Sequence, residues 1–328
     1  MIIKTPSRLH MTLIDMNGSY GRVDGGIGLT IKHPNFVLFG EHSERGITID
    51  FDDKITDEEI RQEAEKKIRT SAEKIIKYYD IDEGFYFNVK KAYIPHSGLG
   101  SGSQISLATS KLITEHIGQE ATGSQLGNII GRGGTSGIGI FSFDYGGFIV
   151  DGGHNLAEKG TILPSSKSPA KPPQLIARYD FPEEWEILIV ILKSNDFVTG
   201  NKEIDLFTDN CPVPKDEVEQ LSHIILMNLI PFLLEKNLPE FSNSINQIQN
   251  KGFKKVEIRL QSADIASLRN KLEEFGAYGS GMSSFGPTVY SIFDKNNKDI
   301  VEKVKEYVGD KGIVYTTKAQ NYGHEIIK

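Results

Sequence analysis

Pro95-His96-Ser97-Gly98-Leu99-Gly100-Ser101-Gly102-Ser103-Gln104 is the most distinctive segment of this chain, and an apolar-periodic stretch that predicts a helix follows it directly. Small residues between glycines do not pack a core, but their backbone N–H groups can close around an anion. The positive end of the following helix points at the same spot. The spacing matches neither G-x-x-x-x-G-K-[ST] nor G-x-G-x-x-G, so it indicates a phosphate without defining the reaction. A tight strand-to-helix turn is the alternative.

The composition is that of an ordinary water-soluble protein. The chain has 328 residues, of which 38% are hydrophobic and 25% charged. A net charge of −7 argues against nucleic acid as a partner. The single cysteine, Cys211, excludes an internal disulfide and fits a reducing compartment. With no signal-peptide pattern and no apolar run of membrane-span length, we expect a cytoplasmic protein that does not bind membranes.

The order of strands and helices predicts an α+β protein of two domains. Leu163–Pro173 contains four prolines and no periodicity, which indicates an extended linker or a loop that covers a ligand. We therefore place an N-terminal domain at residues 1–165 and a C-terminal domain at 166–328. Beyond the linker, Trp185–Leu192 has the length and β-branching of a buried strand.

Three further segments are predicted as strands from their apolar residues. Phe141–Phe143 and Phe148–Val150 flank Asp144-Tyr145-Gly146-Gly147, which predicts a hairpin. Val256–Leu260 alternates apolar and charged residues, and with the helix and strand that follow it predicts a β-α-β unit.

Two more glycine-rich segments are candidates for anion binding. Gly131–Gly139 brings Arg132, Thr135 and Ser136 onto a pliable backbone, and arginine recognises phosphate or carboxylate in a planar, bidentate manner. A mobile turn is the alternative. Gly279–Pro287, which includes Ser280 and Ser283, resembles a second anion loop, and two such loops in separate domains suggest a ligand clamped between them.

Charged residues beside glycines form two further candidate sites. The N-terminal run contains Arg8, His10, Arg22 and Asp24, and together these residues indicate a substrate surface. A hairpin with solvated charges is the alternative for each of them singly. Asp151 and His154 follow a predicted strand, so their side chains can project at a sheet edge, where ligands often bind. A structural or exposed histidine is the alternative there.

Three of these segments, in this order, resemble the GHMP kinase superfamily. They are Pro6-Ser7-Arg8-Leu9-His10, the Pro95–Ser103 loop and Gly279-Ser280-Gly281-Met282-Ser283-Ser284-Phe285-Gly286. The resemblance implies a mixed α/β N-terminal domain with a glycine-rich phosphate loop and a ferredoxin-like α+β C-terminal domain. Kinases of this superfamily bind ATP phosphates on the central loop and phosphorylate a small alcohol.

One departure argues against kinase chemistry. Many of these kinases place an aspartate that assists the attacking hydroxyl where this chain has Gly139, at the end of Gly134-Thr135-Ser136-Gly137-Ile138-Gly139. Glycine can neither orient nor deprotonate an alcohol. The segments Gly131–Gly139 and Gly147-Phe148-Ile149-Val150-Asp151-Gly152-Gly153-His154 resemble instead the β-ribofuranosylaminobenzene 5′-phosphate synthase family. That resemblance implies condensation of phosphoribosyl pyrophosphate with 4-hydroxybenzoate or 4-aminobenzoate, with loss of CO2 and pyrophosphate, in methanopterin biosynthesis.

The resemblance also suggests roles for the candidate residues and a Mg²⁺ cofactor held mainly by substrate phosphates. Arg8 and His10, or Arg22 and Asp24, would lie near the aromatic acid, while Asp151 and His154 would contact metal or sugar. An ATP-dependent small-molecule kinase and an inactive metabolite-binding homologue stay open as alternatives. The number of subunits also stays open, with a homodimer as one option. The residues expected on phosphates are Gly98, Leu99, Gly100, Ser101, Gly102, Ser103, Arg132, Thr135, Ser136, Ser280 and Ser283.

Overall fold

Two long antiparallel strands form the centre of the first sheet. In this computed structural model, which describes residues 1–164, 170–193 and 201–328, they are β1 (Ile2–Asp15) and β2 (Arg22–Ser43). Their register shifts twice, and the second shift lies between His10 and Thr12. Such a bulge bends the strand and redirects nearby side chains, which bears on the position of His10.

The remaining strands of this sheet extend it on both sides. Its main path is β12-β1-β2-β4-β3, and β5 and β6 also pair with β2, while β7 pairs with β5. The sheet therefore includes chain from both ends of the molecule. Those strands are β3 (Ile47–Phe51), β4 (Gly84–Lys91), β5 (Phe148–Asp151), β6 (His154–Asn155), β7 (Leu175–Tyr179) and β12 (Glu325–Ile327).

Helices cover this sheet and bring the glycine-rich segments to its edge. Helix α2 (Ser101–His116) packs against α1 (Glu58–Tyr79) and against β1 and β2. Its apolar face joins a core that includes Leu38, Phe87 and Leu107. The next helices are α3 (Gly123–Ile130), α4 (Ile138–Asp144) and α5 (Leu156–Lys159).

A second sheet is entirely antiparallel, in the order β11-β8-β10-β9. Strand β8 is Trp185–Leu192, which confirms the prediction for that segment. Helices α11 and α12 share a second core cluster with this sheet, and the cluster includes Leu188, Leu268 and Val304. The elements are β9 (Ser280–Met282), β10 (Thr288–Asp294), β11 (Gly312–Thr317), α11 (Ala263–Glu274) and α12 (Asp299–Val308).

The two sheets with their helices confirm the predicted fold class, a mixed α/β unit followed by an α+β unit. The predicted boundary at residues 165 and 166 lies outside the described residues, so the division stays a prediction. The helices between the sheets are α6 (Asn201–Asn210), α7 (Lys215–Ile224), a π-helical turn (Ile225–Leu229), α8 (Ile230–Leu234), α9 (Leu238–Gln249) and α10 (Gly252–Arg259), and a 3-10 turn (Gly309–Lys311) follows α12.

Two segments predicted as strands are helices, so those predictions were wrong. The residues 141–143 lie in α4 and not in a hairpin. The residues 256–259 lie in α10, whose inward face carries Phe253, Lys254 and Glu257. The alternation of apolar and charged residues from Val256 onward resembles a strand. It arises in this helix because the helix buries the charged pair Lys254 and Glu257.

Among the described residues, one helical stretch is long and apolar enough to cross a membrane, Lys215–Leu234. No apolar run of this length was predicted from the sequence. Leu221, Leu229 and Leu233 in this stretch are buried in the main core, and a core helix meets the same length and composition criteria.

Candidate active site

The glycine-rich segment forms an open anion cradle at the start of α2. Gly100 precedes the helix in the left-handed region, with φ 82°, and the first turn contains no acidic residue. Within the described part of the chain no side chain caps this helix end. The N–H groups that begin the helix are therefore available to an anion. Leu99, which was expected on phosphates, is buried and anchors the loop.

Arg8 on β1 supports this loop. Its guanidinium donates a hydrogen bond to the carbonyl oxygen of Gly98, and its backbone N–H donates to that of Leu99 at 3.1 Å. A Cβ atom on Gly100 would lie 3.1 Å from the guanidinium carbon, so the glycine permits this close approach. Burial lowers the pKa of Arg8 to about 10, which leaves it cationic at neutral pH.

The C-terminal glycine-rich loop also contacts the cradle. The Ser283 hydroxyl donates to the Gly98 carbonyl at 2.7 Å, and the Thr288 hydroxyl donates to that of Ser97 at 2.6 Å. Ser280 faces elsewhere, since its hydroxyl accepts from Arg269 at 3.3 Å and its N–H donates to Asn246 at 3.0 Å. The two anion-type loops therefore meet, but their contact runs through Ser283 and not through Ser280.

We call the cavity above the cradle the loop chamber. Cationic and anionic side chains line it together with the predicted loop residues. Three of them, Glu63, Glu203 and Lys67, were not predicted from the sequence. The lining residues are Arg8, Glu63, Lys67, His96, Gly98, Gly100, Ser101, Gly102, Ser103, Arg132, Glu203, Ser284, Phe285 and Gly286.

A second cavity, which we call the side chamber, adjoins the loop chamber. Six residues line both, among them Arg8 and Arg132, so a ligand can extend from one into the other. Leu13, Phe207 and Phe285 give the side chamber an apolar wall. The lining residues are Arg8, His10, Leu13, Ser103, Arg132, Gly133, Thr135, Ser136, Gly139, Glu203, Phe207, Glu257, Ser284 and Phe285.

Arg132 lies where the two chambers join. Its Nη2 is 3.5 Å from the carbonyl oxygen of Gly102 in the cradle. Burial lowers the pKa of Arg132, and burial together with the Arg132 charge lowers that of Lys67. Closely spaced cations that destabilise each other's charge are stabilised by a polyanionic ligand.

Two carboxylates that were not predicted from the sequence, Glu63 and Glu203, bring negative charge to the loop chamber. Glu63 on α1 contacts Lys67 at 3.3 Å, one helical turn away, and this pair has the pattern of an exposed helix surface. Burial, and then the neighbouring Glu257, raises the pKa of Glu203 to about 7. No local sequence signal distinguishes Glu203 from the other acids of the chain.

Asp151 lies beneath the side chamber and organises the Gly131–Gly139 segment. Its carboxylate accepts hydrogen bonds from the Ser136 hydroxyl at 3.1 Å, from Gly137 N–H at 3.0 Å and from Gly153 N–H at 3.0 Å. Burial raises the pKa of this carboxyl to about 6. The geometry makes Asp151 a support for Ser136, which lines the chamber.

The other predicted catalytic residues lie behind this segment. The Asp24 carboxylate accepts from Lys159 Nζ at 2.7 Å and lies 2.6 Å from His154 Nδ1. The other ring nitrogen of His154 is 2.9 Å from the carbonyl oxygen of Lys171. Arg22 is exposed and donates to the carbonyl of Gly152. In the described ranges, none of Arg22, Asp24 and His154 lines either chamber.

Comparison with protein families matches both halves of the chain. Residues 66–147 match the GHMP kinases N terminal domain, and residues 229–313 match GHMP kinases C terminal. The first range contains the cradle and the second contains α10 and the Ser283 loop.

The full length is similar to curated archaeal proteins. A β-ribofuranosylphenol 5′-phosphate synthase of Methanothermobacter thermautotrophicus is 46% identical over 100% of this chain and 99% of its own length. The protein of the same name from Methanocaldococcus jannaschii is 45% identical over 99% of this chain and all of its own.

Solved structures share the fold at low identity. L. major mevalonate kinase in complex with R-mevalonate superposes with a TM-score of 0.72 at 14% identity, over 98% of this chain and 96% of that one. Homoserine kinase from Cytophaga hutchinsonii superposes with a TM-score of 0.70 at 15% identity, over 99% of this chain and 97% of that one.

Proposed function

Because the chain belongs to the β-ribofuranosylphenol 5′-phosphate synthase family, within the GHMP kinase superfamily, we propose that it joins phosphoribosyl pyrophosphate to 4-hydroxybenzoate. Pyrophosphate and CO2 leave, and the product is a ribofuranosylphenol 5′-phosphate. The reaction belongs to the methanopterin biosynthesis that the sequence resemblance implies. The name of these relatives refers to a phenol, which supports the hydroxy acid over the amino acid as acceptor.

The observation that carries this proposal is the pair of adjoining chambers. The loop chamber offers helix N–H groups and the cations Arg8, Lys67 and Arg132 to a pyrophosphate. The side chamber offers Leu13 and Phe207 to an aromatic ring. The two arginines at the junction can hold the ring carboxylate where the two substrates meet.

The reaction needs a stabilised leaving group and an oriented acceptor. When the bond from the anomeric carbon to pyrophosphate breaks, negative charge develops on the pyrophosphate, and Arg132, Lys67 and the helix N–H groups stabilise it. The arginine grip on the carboxylate holds the ring carbon against the sugar. No alcohol attacks, so the glycine at position 139 is consistent with this chemistry.

Mg²⁺ fits the loop chamber as an ion bound largely through the substrate. Within the described residues no group of three or more His, Cys, Asp or Glu side chains could hold a metal by itself. Mg²⁺ commonly uses one or two carboxylates together with substrate phosphates and water. Glu63 and Glu203 are the carboxylates that line this chamber. Bound there, the ion would neutralise pyrophosphate charge.

The test combines the protein, Mg²⁺, phosphoribosyl pyrophosphate and carboxyl-labelled 4-hydroxybenzoate. We expect labelled CO2 and pyrophosphate in equal amounts. A parallel reaction with ATP and candidate alcohols should form no ADP; ADP formation there would favour a kinase. A folded protein that catalyses neither reaction would support the inactive homologue.

Arg132→Ala tests the phosphate site, with Arg69→Ala as a charge-matched control. Arg69 lies on α1, where it pairs with Glu65 at 2.9 Å outside both chambers. We expect the Arg132 variant to raise KM for phosphoribosyl pyrophosphate about 10- to 100-fold, as loss of a charged hydrogen-bonding partner would. Equal values for the two variants would remove Arg132 from the site.

A further inference from the structure

His10 lies at the end of the side chamber that is farther from the cradle, since it lines the side chamber and not the loop chamber. Its side chain is buried, and among the described residues its Nδ1 has no hydrogen-bond partner. Because the protein shields Nδ1 from solvent, Nε2 is the ring nitrogen left to meet a ligand in the side chamber.

Three polar atoms surround position 26, where the chain has no side chain: Nε2 of His10, Oγ of Ser136 and Oδ2 of Asp151. A Cβ atom on Gly26 would lie 3.3 Å from His10 Nε2 and 3.2 Å from both Ser136 Oγ and Asp151 Oδ2. The Ser136 hydroxyl donates to Asp151 at 3.1 Å, and its oxygen keeps a lone pair for a further donor. His10 and Ser136 both line the side chamber, so an imidazole nitrogen and a hydroxyl lie near each other in its wall.

Burial, together with nearby cations, favours the neutral form of the His10 ring. Burial, and after it the charges of Arg8 and Lys254, holds the pKa of His10 well below its usual value of 6.5. A neutral imidazole has one nitrogen that accepts a proton, and it is a poor partner for a carboxylate. The charged groups around this end of the chamber are Arg8 on β1, Asp151 on β5, Glu203 on α6, and Lys254 and Glu257 on α10.

We propose that Nε2 of His10 accepts the proton of the 4-hydroxyl group of the aromatic acid during C–C bond formation, and that Ser136 orients this hydroxyl. The inference rests on the proposed function. With the carboxylate held by the arginines at the chamber junction, the opposite end of the ring extends toward His10. The sequence resemblance placed His10 near the aromatic acid without giving it this role.

The step balances without a further reactant. The ring carbon that bears the carboxylate forms a bond with the anomeric carbon, while the bond to pyrophosphate breaks and its electron pair leaves with pyrophosphate. The hydroxyl proton passes to His10, which gives a dienone that still carries the carboxylate. The bond to the carboxylate then breaks, CO2 leaves, and its electron pair restores the aromatic ring as the oxygen takes the proton back from His10.

The experiment compares wild type and His10→Gln on 4-hydroxybenzoate and on 3,5-difluoro-4-hydroxybenzoate, whose more acidic hydroxyl is largely ionised at pH 8. For 4-hydroxybenzoate we expect kcat to fall about 10²- to 10⁴-fold, the usual range for loss of a general base, with KM for phosphoribosyl pyrophosphate unchanged. For the difluoro acid the loss should shrink to within about tenfold, because that substrate needs no base.

Two outcomes overturn the inference: equal losses of kcat with both acids, or no loss with either. Calorimetric binding of pyrophosphate to the variant confirms that it is folded. If the variant does not fold, Ser136→Ala takes its place and should show a smaller loss with the same dependence on the acid. Wild type that releases neither CO2 nor pyrophosphate would overturn the proposed function itself, whereas an active wild type with an unaffected variant overturns only the role of His10.

Discussion

The hydroxyl of Ser283 donates a hydrogen bond of 2.7 Å to the carbonyl oxygen of Gly98, across 185 residues of sequence. The same hydroxyl accepts from the His10 N–H at 3.0 Å, and Ser284 N–H donates to the His10 carbonyl at 2.9 Å. Strand β1, the anion cradle and the C-terminal loop thus hold one another in place. The binding geometry depends on contacts between segments that are remote in sequence.

Replacing Ser283 with alanine should weaken pyrophosphate binding more than it weakens the fold. The change removes two hydrogen bonds at the junction, and we expect about 1–2 kcal/mol less unfolding free energy and a KM for phosphoribosyl pyrophosphate raised about 5- to 20-fold. Chemical denaturation and steady-state kinetics measure the two effects.

Ser291→Ala is the matched control for that experiment. Ser291 is equally buried, and its hydroxyl donates to the Gly279 carbonyl at 2.7 Å, away from the cradle. It should lose similar stability and keep its KM. A similar rise in KM in both variants would show that the Ser283 contact has no special role.

From the sequence, candidate site residues can be proposed where their signal is local. Gly98–Ser103 and Arg132 carry their own signal, because glycines and a helix start define an anion site over a few residues. Glu203 and Glu257 carry none, since only the folded chain brings α6 and α10 together at the side chamber.

The same distinction applies to the fold. The continuous apolar run of β8 was recognised because both faces of that strand are buried. Helix α10 was missed because the side chains it buries include Lys254, whose ammonium donates to the carbonyl of Ser284 at 3.0 Å and pairs with Glu257. A hydrophobicity pattern cannot register a charge buried against partners that come from elsewhere in the chain.

Glu203 should make stability depend on pH near neutrality. Its pKa in the folded protein is raised to about 7 from an ordinary value of 4.5, so between these values the folded state holds a proton that the unfolded state has lost. The protonated Glu203 carboxyl therefore contributes fully to the unfolding free energy below pH 4.5, and this contribution is lost as the pH rises through 7. We expect Glu203→Gln to be about 1 kcal/mol more stable than wild type at pH 8.

Denaturant titrations at pH 5 and pH 8 measure this difference. Glu65→Gln, on the exposed side of α1, is the control. Its unfolding free energy relative to wild type should be the same at both pH values. A Glu203→Gln stability difference that is the same at both pH values would contradict the raised pKa.

The buried group of Asp24, Lys159 and His154 should be structural. Asp24→Asn leaves the buried Lys159 ammonium without a charged partner, which costs about 3–5 kcal/mol of unfolding free energy. Arg22→Ala should cost less than about 1 kcal/mol, because Arg22 is exposed. Denaturation curves compare the two, and the folded Asp24 variant should keep both KM values. An Asp24→Asn protein of normal stability but without activity would instead support the catalytic role expected from the sequence.

Replacing Gly98 with alanine should separate the two loops at their contact. Gly98 has φ +84°, and a Cβ there would lie 2.3 Å from the carbonyl oxygen of Ser283, so the backbone of one loop must move. Gly118→Ala is the control: its φ is +68° and nothing lies within 4 Å of the added atom. Both substitutions cost about 1–2 kcal/mol of left-handed strain.

Gly98→Ala should in addition weaken pyrophosphate binding at least about tenfold, because displacement of binding groups by about 1 Å has effects of that size or larger. Calorimetry with pyrophosphate decides the matter, and equal affinities in the two variants would show that the contact between the loops does not set the cradle's geometry.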